Sequence, residues 1–296
     1  MAVFAYPDVA RMGLGNMLFP WARAEVLAST YSIPILAPRW VKPRIGPILR
    51  RETDLRFYVG LFDNARAGYI RGLRRSLIMV RASRVSYELV PAFMASDASK
   101  SGIHILECGG WQGWFDDLLP HRELIARRLN DILSTRVRRL LDQSNVDFEI
   151  AVHVRRGDKA PIPFGATLTG ESTETLSDKW YINTIRSVRR ILGHSARVRI
   201  FSDAKPGQID PILAEPDTTR APDNPAIVDM LLLSKAKVLI TTGGSSFSAW
   251  ASFLGAMPTI WYHGAGMPLI IDRPSLSIET DLEGNLPHAA TAVITL

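Results

Sequence analysis

IAVHVRRGDKAPIP, residues 150–163, begins as an apolar run with the signature of a buried strand and then releases a histidine, two adjacent arginines and an aspartate within six positions. A short apolar run of this kind, Glu149 to Val154, suits a strand covered on both faces. Similar runs follow at RVRIFSD (197–203), KVLITT (237–242) and PTIWY (258–262). Between them the period turns helical: SDKWYINTIRSVRRIL (177–192), with a cap expected at Ser177 or Asp178, then a helix containing Asp229–Ser234, then FSAWASFLGA (247–256). Strands alternating with helices predict a parallel sheet with both faces covered. Residues 205–225, rich in Pro and Asp, read as a connection, and the C-terminal tail is expected to fold back.

The first half is less regular. A short apolar strand turns through Gly13 and Gly15 into a helix over Phe19–Ser29. ILAPRW (35–40), VSYEL (85–89) and IHILE (103–107) read as strands, and a single helix is expected from Pro120 to about Asp142. With 296 residues, two domains are expected, 1–145 and 146–296. No internal repeat or low-complexity tract occurs.

Composition narrows the function classes. At 47% hydrophobic and 22% charged residues the chain has an ordinary globular balance. Cys108 is the only cysteine, which excludes an intrachain disulfide and a cysteine-rich metal site. The N-terminus lacks a basic region followed by a long apolar core, so a cytoplasmic location is expected. Val238–Ile271 carries no Asp, Glu, Lys or Arg, yet glycines and prolines interrupt it, so it reads as strand, loop and helix rather than a membrane span. Between Arg39 and Arg84, twelve basic residues face three acidic ones, against a net charge of +6 for the whole chain. That excess suits peripheral contact with an anionic membrane or a phosphorylated acceptor, or a solvated surface. The aromatic residues there follow no stacking pattern, so no nucleic acid is expected as a partner.

In a parallel α/β sheet, ligands bind beyond the carboxyl ends of the strands. His153, Arg155, Arg156 and Asp158 stand at one such end, Asp203 at a second and Gly243-Gly244-Ser245-Ser246-Phe247-Ser248 at a third. The glycines allow close backbone approach, and the serines open a helix whose free N–H groups favour an anion. Arginine beside such a helix start points to phosphate or diphosphate. Helix capping alone would also explain the serines. A salt bridge would explain at least one arginine, because neighbouring strand residues point to opposite faces. There is no GxxxxGK[ST], no HExxH, no Asp-x-Asp pair and no nucleophile elbow.

MGLGNMLFPWARA (12–24), GGWQGWF (109–115), HVRRGDK (153–159), IFSDA (200–204) and DMLLLSKAKVLITTGGSSFSAW (229–250) resemble, in order and spacing, the bacterial α-1,2-fucosyltransferases of glycosyltransferase family 11. The HxRRxD signature is similar to that of the wider fucosyltransferase superfamily. The resemblance implies an α/β fold of GT-B type, two Rossmann-like domains with parallel sheets facing a cleft. It implies a GDP-fucose donor held mainly by the C-terminal domain, an acceptor-side N-terminal domain, and no metal or other cofactor. Arg155 would then contact the β-phosphate, Arg156 would support the site, and His153 and Asp229 would meet the guanine or its ribose. Ser245, Ser246 and Phe247, with Gly244 and Ser248 around them and Asp203 nearby, would hold the diphosphate, and Asn16 would face the cleft. The acceptor would be a glycan or a lipid-linked oligosaccharide. The general base stays open among Asp158, Glu171 and Glu174. The family's usual pattern is interrupted at Met17, Gly244 and Ala204. Two other readings remain: a transferase of another GDP-sugar, and a basic polyanion- or membrane-binding protein with a vestigial nucleotide site.

Overall fold

The computed structural model describes residues 2–9, 12–40, 58, 60–157, 160–168 and 175–295. They divide into two units, the first ending at Arg139 and the second beginning at Leu140, where the sequence reading put the division after residue 145.

In the first unit the order is β1 (Ala2–Pro7), α1 (Leu14–Tyr31), α2 (Gly72–Arg81), β2 (Ser83–Ser86), α3 (Val90–Ala95), β3 (Ile103–Cys108), α4 (Arg122–Ile132) and the start of α5 (Thr135–Gln143). The strands form a parallel sheet in the order β1-β3-β2. α1 starts five residues before the expected Phe19, because Leu14, Met17, Leu18 and Trp21 are all buried on it. Pro20 sits inside the helix and lacks the N–H that would reach the Asn16 carbonyl. ILAPRW does not become a strand: only Ile35 and Leu36 make isolated bridges, to Ala5 and Ile70, before Pro38. VSYEL is a strand only to Ser86. Tyr87–Leu89 turns as a 3-10 segment that aims the Tyr87 hydroxyl at Asp117, 2.7 Å away. The single helix expected over 120–142 is two. Leu133 bridges to Phe62, and the Ser134 hydroxyl caps the new helix by accepting from Val137 N–H at 3.3 Å.

The second unit continues with β4 (Ile150–Val154), α6 (Asp178–Leu192), β5 (Val198–Ser202), α7 (Asp210–Leu213), β6 (Thr218–Arg220), α8 (Ala226–Leu233), β7 (Val238–Ile240), α9 (Ser246–Gly255), β8 (Thr259–Trp261), β9 (Ser277–Glu279) and α10 (Ala290–Ile294). Its sheet is parallel throughout, in the order β6-β5-β4-β7-β8-β9. The chain thus builds outward from β4 in one direction, then returns to β4's other side with β7 and builds the opposite way. The reversal point lies between β4 and β7, the place where doubly wound sheets open a ligand crevice. β6 (TTR) and β9 (SIE) are edge strands hidden from sequence patterning because neither carries an apolar run.

β4 is central because Ile150, Ala151, Val152 and Val154 are all sealed from solvent. α6 covers the sheet with Trp180, Tyr181, Ile185 and Val188. Fully burying each such side chain contributes roughly 1.5–3 kcal/mol. The α6 start is fixed by Ser177, whose hydroxyl accepts from Trp180 N–H, and by Asp178 in the first turn. Gly255 ends α9 where α8 runs into its following turn. A Cβ there would stand 2.4 Å from the Ser234 carbonyl oxygen, so only glycine permits this approach. The charge-free stretch Val238–Ile271 is β7, a loop, α9 and β8, as read from its glycines and prolines. No helix among the described residues is long and apolar enough to cross a membrane.

Candidate functional site

The end of β4 and the start of α9 meet across the reversal point. Val152 is in register with Ile240, so His153 and the residues after it leave the sheet level with Thr241–Gly244. His153 Nδ1 lies 2.6 Å from the Ser248 hydroxyl, and its ring packs 5.0 Å from that of Phe247. The histidine is therefore pinned by the first turn of α9. Desolvation pushes the His153 pKa down to about 4. Asp203 opposes the shift and Arg155 adds to it, so the imidazole is neutral at pH 7. Ser245 occupies the cap position of α9 without a side-chain capping bond, and Ala249 N–H donates to its carbonyl. The N–H groups ahead of Ala249 point out of the helix start, as the first turn of any helix requires. Gly244 takes a left-handed φ of +57° to admit this turn.

The two arginines part company. Arg156 is 2% exposed. Its Nη1 donates to the Leu176 carbonyl at 2.9 Å and the Arg155 carbonyl at 3.1 Å, its Nη2 pairs with Asp178, and it stacks 5.7 Å from the Tyr181 ring centroid. Arg155 is half-exposed and makes no ion pair with a described residue. Asp203 binds the backbone of the β4 exit: its Oδ1 accepts from Arg156 N–H at 2.7 Å. Gly157, at φ +48°, lets the chain turn over Asp203, whose Oδ2 would lie 3.3 Å from a Cβ.

Asp229 stands in the first turn of α8, where Asn224 Nδ2 donates to it at 3.0 Å. Asn16 is in the first turn of α1, in the other unit. Asp158, Glu171 and Glu174 lie outside the described residues. The sequence reading missed Asp178 as the partner of Arg156, seeing only a helix cap there. It also missed Tyr181, whose hydroxyl donates to the His153 carbonyl at 3.3 Å and whose phenol pKa burial pushes up. The helical period of 177–192 could have marked both as facing the core. Among the described residues no group of three or more His, Cys, Asp or Glu side chains is arranged to hold a metal. What the arrangement offers is a guanidinium with no ion pair among the described residues, a helix N-terminus and a neutral imidazole at the reversal point of the sheet.

No family model matches the chain, and no curated protein matches it in sequence. Among solved structures it is similar to the fucosyltransferase NodZ from Bradyrhizobium, at 14% identity and TM-score 0.56, over 97% of this chain and 98% of that one. NodZ α-1,6-fucosyltransferase soaked with GDP-fucose gives 16% identity and TM-score 0.55, over 89% and 96% of the two chains. A mutant of Arabidopsis thaliana FUT1 in complex with GDP gives 15% and 0.51, over 87% and 70%. The fold class is α/β of GT-B type, with two parallel sheets.

Proposed function

We propose that the chain is an inverting fucosyltransferase. It moves L-fucose from GDP-fucose to a sugar hydroxyl of a glycan or glycolipid, in α-1,2 linkage and without a metal. The observation that carries this reading is the reversal point itself, where Arg155 has no ion-pair partner among the described residues and stands level with the opening of α9. Guanidinium and helix-end charge together suit a diphosphate leaving group. The acceptor hydroxyl attacks the anomeric carbon in line, and the bond from that carbon to the β-phosphate oxygen breaks with its electron pair going to GDP. Arg155 and the N–H groups of Ser246, Phe247 and Ser248 receive the charge that develops there. Neutral His153, held by Ser248, hydrogen-bonds the guanine or ribose without adding charge. One of Asp158, Glu171 and Glu174 takes the acceptor proton.

A second reading keeps the chemistry and changes the sugar. It draws on Ala204, buried where the resembling family carries an acidic residue. Calorimetric titration with GDP, GDP-fucose, GDP-mannose and UDP in metal-free buffer separates the two. Selective GDP-fucose binding supports the first, and preference for another GDP-sugar supports the second. Removing one preorganised charge-stabilising donor typically lowers kcat by about 10²–10³. Arg155→Ala is expected to show that loss in transfer assays with an unchanged melting temperature. Full activity in that variant refutes the site assignment.

A further inference from the structure

α2 is apolar on two opposite sides. One side, Ile78 and Met79, packs on the sheet core formed by Phe4, Tyr6, Leu36 and Ile105. Arg75 is buried on the same side, donating Nε to the Ala37 carbonyl at 2.8 Å and lying over the Tyr6 ring. A helix anchored in this way is expected to turn a polar stripe outward. Instead Leu73, Leu77 and Val80 follow the i, i+4, i+7 spacing of a single helical stripe, and they are 76%, 46% and 85% exposed. Arg71, Arg74, Arg81 and Arg84 are exposed around them. No acidic residue occurs in the sequence between Asp63 and Glu88, and of those four arginines only Arg84 forms an ion pair with a described residue, Glu107. Of the wider basic run, residues 41–57 and 59 lie outside the described residues.

We infer that the outer face of α2 docks on an anionic lipid surface. The helix would lie in the plane of the interface, with Leu73, Leu77 and Val80 among the acyl chains and the arginines at headgroup level. Charge complementarity selects this occupant. Aliphatic side chains rimmed by arginine without acid are the composition of helices that lie in a membrane interface. A nucleic acid would use the arginines but leave the aliphatic stripe in water, and a second copy of this helix would bring arginine against arginine. At ten residues α2 lies on the surface and does not span it. The inference stands independently of the transferase reading, because neither the nucleotide nor the crevice enters it.

The test is flotation of the full chain with vesicles of phosphatidylcholine alone and with about one-third phosphatidylglycerol, at low salt and at roughly 0.5 M salt where exposed charges are screened. Binding to the anionic vesicles only, weakened by salt, is expected. Each arginine near an anionic surface is worth about fivefold in partitioning, so Arg74→Gln/Arg81→Gln should lose about 30-fold. Leu77→Ser/Val80→Ser should lose about tenfold or more while leaving the charge intact. Circular dichroism and melting of both variants check that the fold survives. Flotation of the wild type unaltered by both double substitutions overturns the inference, as does the absence of vesicle binding. So do binding to heparin without binding to vesicles, and a dimer in sedimentation velocity that Leu77→Ser/Val80→Ser dissolves without any effect on vesicles.

Discussion

Replacing Asp178 with alanine leaves the Arg156 guanidinium buried with a charge and no ion-pair partner among the described residues. Arg156 is 2% exposed, and after the substitution it retains the carbonyl oxygens of Leu176 and Arg155 and the Tyr181 ring. These are neutral acceptors; they satisfy N–H groups but do not compensate a full charge. Removing one partner of a buried pair costs about 3–5 kcal/mol. Asp178 keeps 28% of its side-chain exposure, so water can enter beside it, and the lower end, about 3 kcal/mol, applies. Loss of a carboxylate from the first turn of α6 adds about 0.3–1 kcal/mol. In a unit of this size each kcal/mol moves the melting temperature by about 2–4 °C, so Asp178→Ala, at about 3.3–4 kcal/mol in all, should melt about 7–16 °C below the wild type. Arg156→Met/Asp178→Leu removes both charges and fills the space, and should melt above Asp178→Ala, because a buried pair replaced by apolar side chains is often neutral. The assay is thermal melting followed by far-UV circular dichroism, with the single and double variants in one buffer. An Asp178→Ala protein melting within about 2 °C of the wild type refutes the reasoning. A double variant melting below Asp178→Ala does the same.

His153 gives a pH signature. Its folded pKa of about 4 lies below the roughly 6.5 of an unfolded histidine, so the unfolded chain binds the proton first. Above pH 6.5 the group costs nothing. As pH falls from 6.5 to 4 it destabilises the fold progressively, by about 3 kcal/mol in total, and below 4 the penalty is constant. Urea unfolding across this range should show a shallower acid loss in His153→Asn than in the wild type, and equal slopes contradict the assignment. Gly157→Ala combines a left-handed φ with the 3.3 Å approach to Asp203, whereas Gly264→Ala carries only a left-handed φ, with nothing within 4 Å. The first should cost more than the roughly 1–2 kcal/mol of conformational strain expected for the second, and equal urea midpoints argue against the contact. Arg23 is buried and holds the 109–117 loop through the Asp117 carboxylate at 2.8 Å, the Gln112 carbonyl at 2.6 Å and the Gly110 carbonyl at 3.3 Å. Arg23→Met should make limited proteolysis cut at the exposed Trp111 faster than in the wild type, and unchanged cleavage would show that the loop holds itself.

The second unit was legible because its strands are apolar runs bounded by turns, and their alternation with helical periods leaves few topologies for a parallel sheet. Sequence spacing could not give the strand order. β6 (TTR) and β9 (SIE) carry no apolar run and pair at the edges that β5 and β8 offer, a tertiary fact without local signal. The errors in the first unit have the same origin. Ile35–Leu36 looks like a strand until Pro38 interrupts it, and Ser134 breaks a helical period of unbroken amphipathicity because its own hydroxyl offers the next helix a cap.

The site shows the limit more sharply. Arg155 and Arg156 are the same letter twice, and alternation along a strand says only that they face different ways. Which one faces inward is decided by Asp178, twenty-two residues downstream of Arg156, and Asp178 is placed by the cap at Ser177 that starts α6. Once Arg156 is committed to that carboxylate and to the Leu176 carbonyl, it fixes the backbone leaving β4, and Asp203 holds the same turn from β5 through the Arg156 N–H. Arg155 is then the guanidinium without an ion pair among the described residues at the reversal point, on a backbone that its neighbour holds in place. A preorganised charge of this kind stabilises charge developing in a reaction without first having to be ordered. On the proposed function, the adjacent arginines would therefore form one device in two parts: the buried Arg156–Asp178 pair would supply the rigidity, and Arg155 the charge that meets the diphosphate.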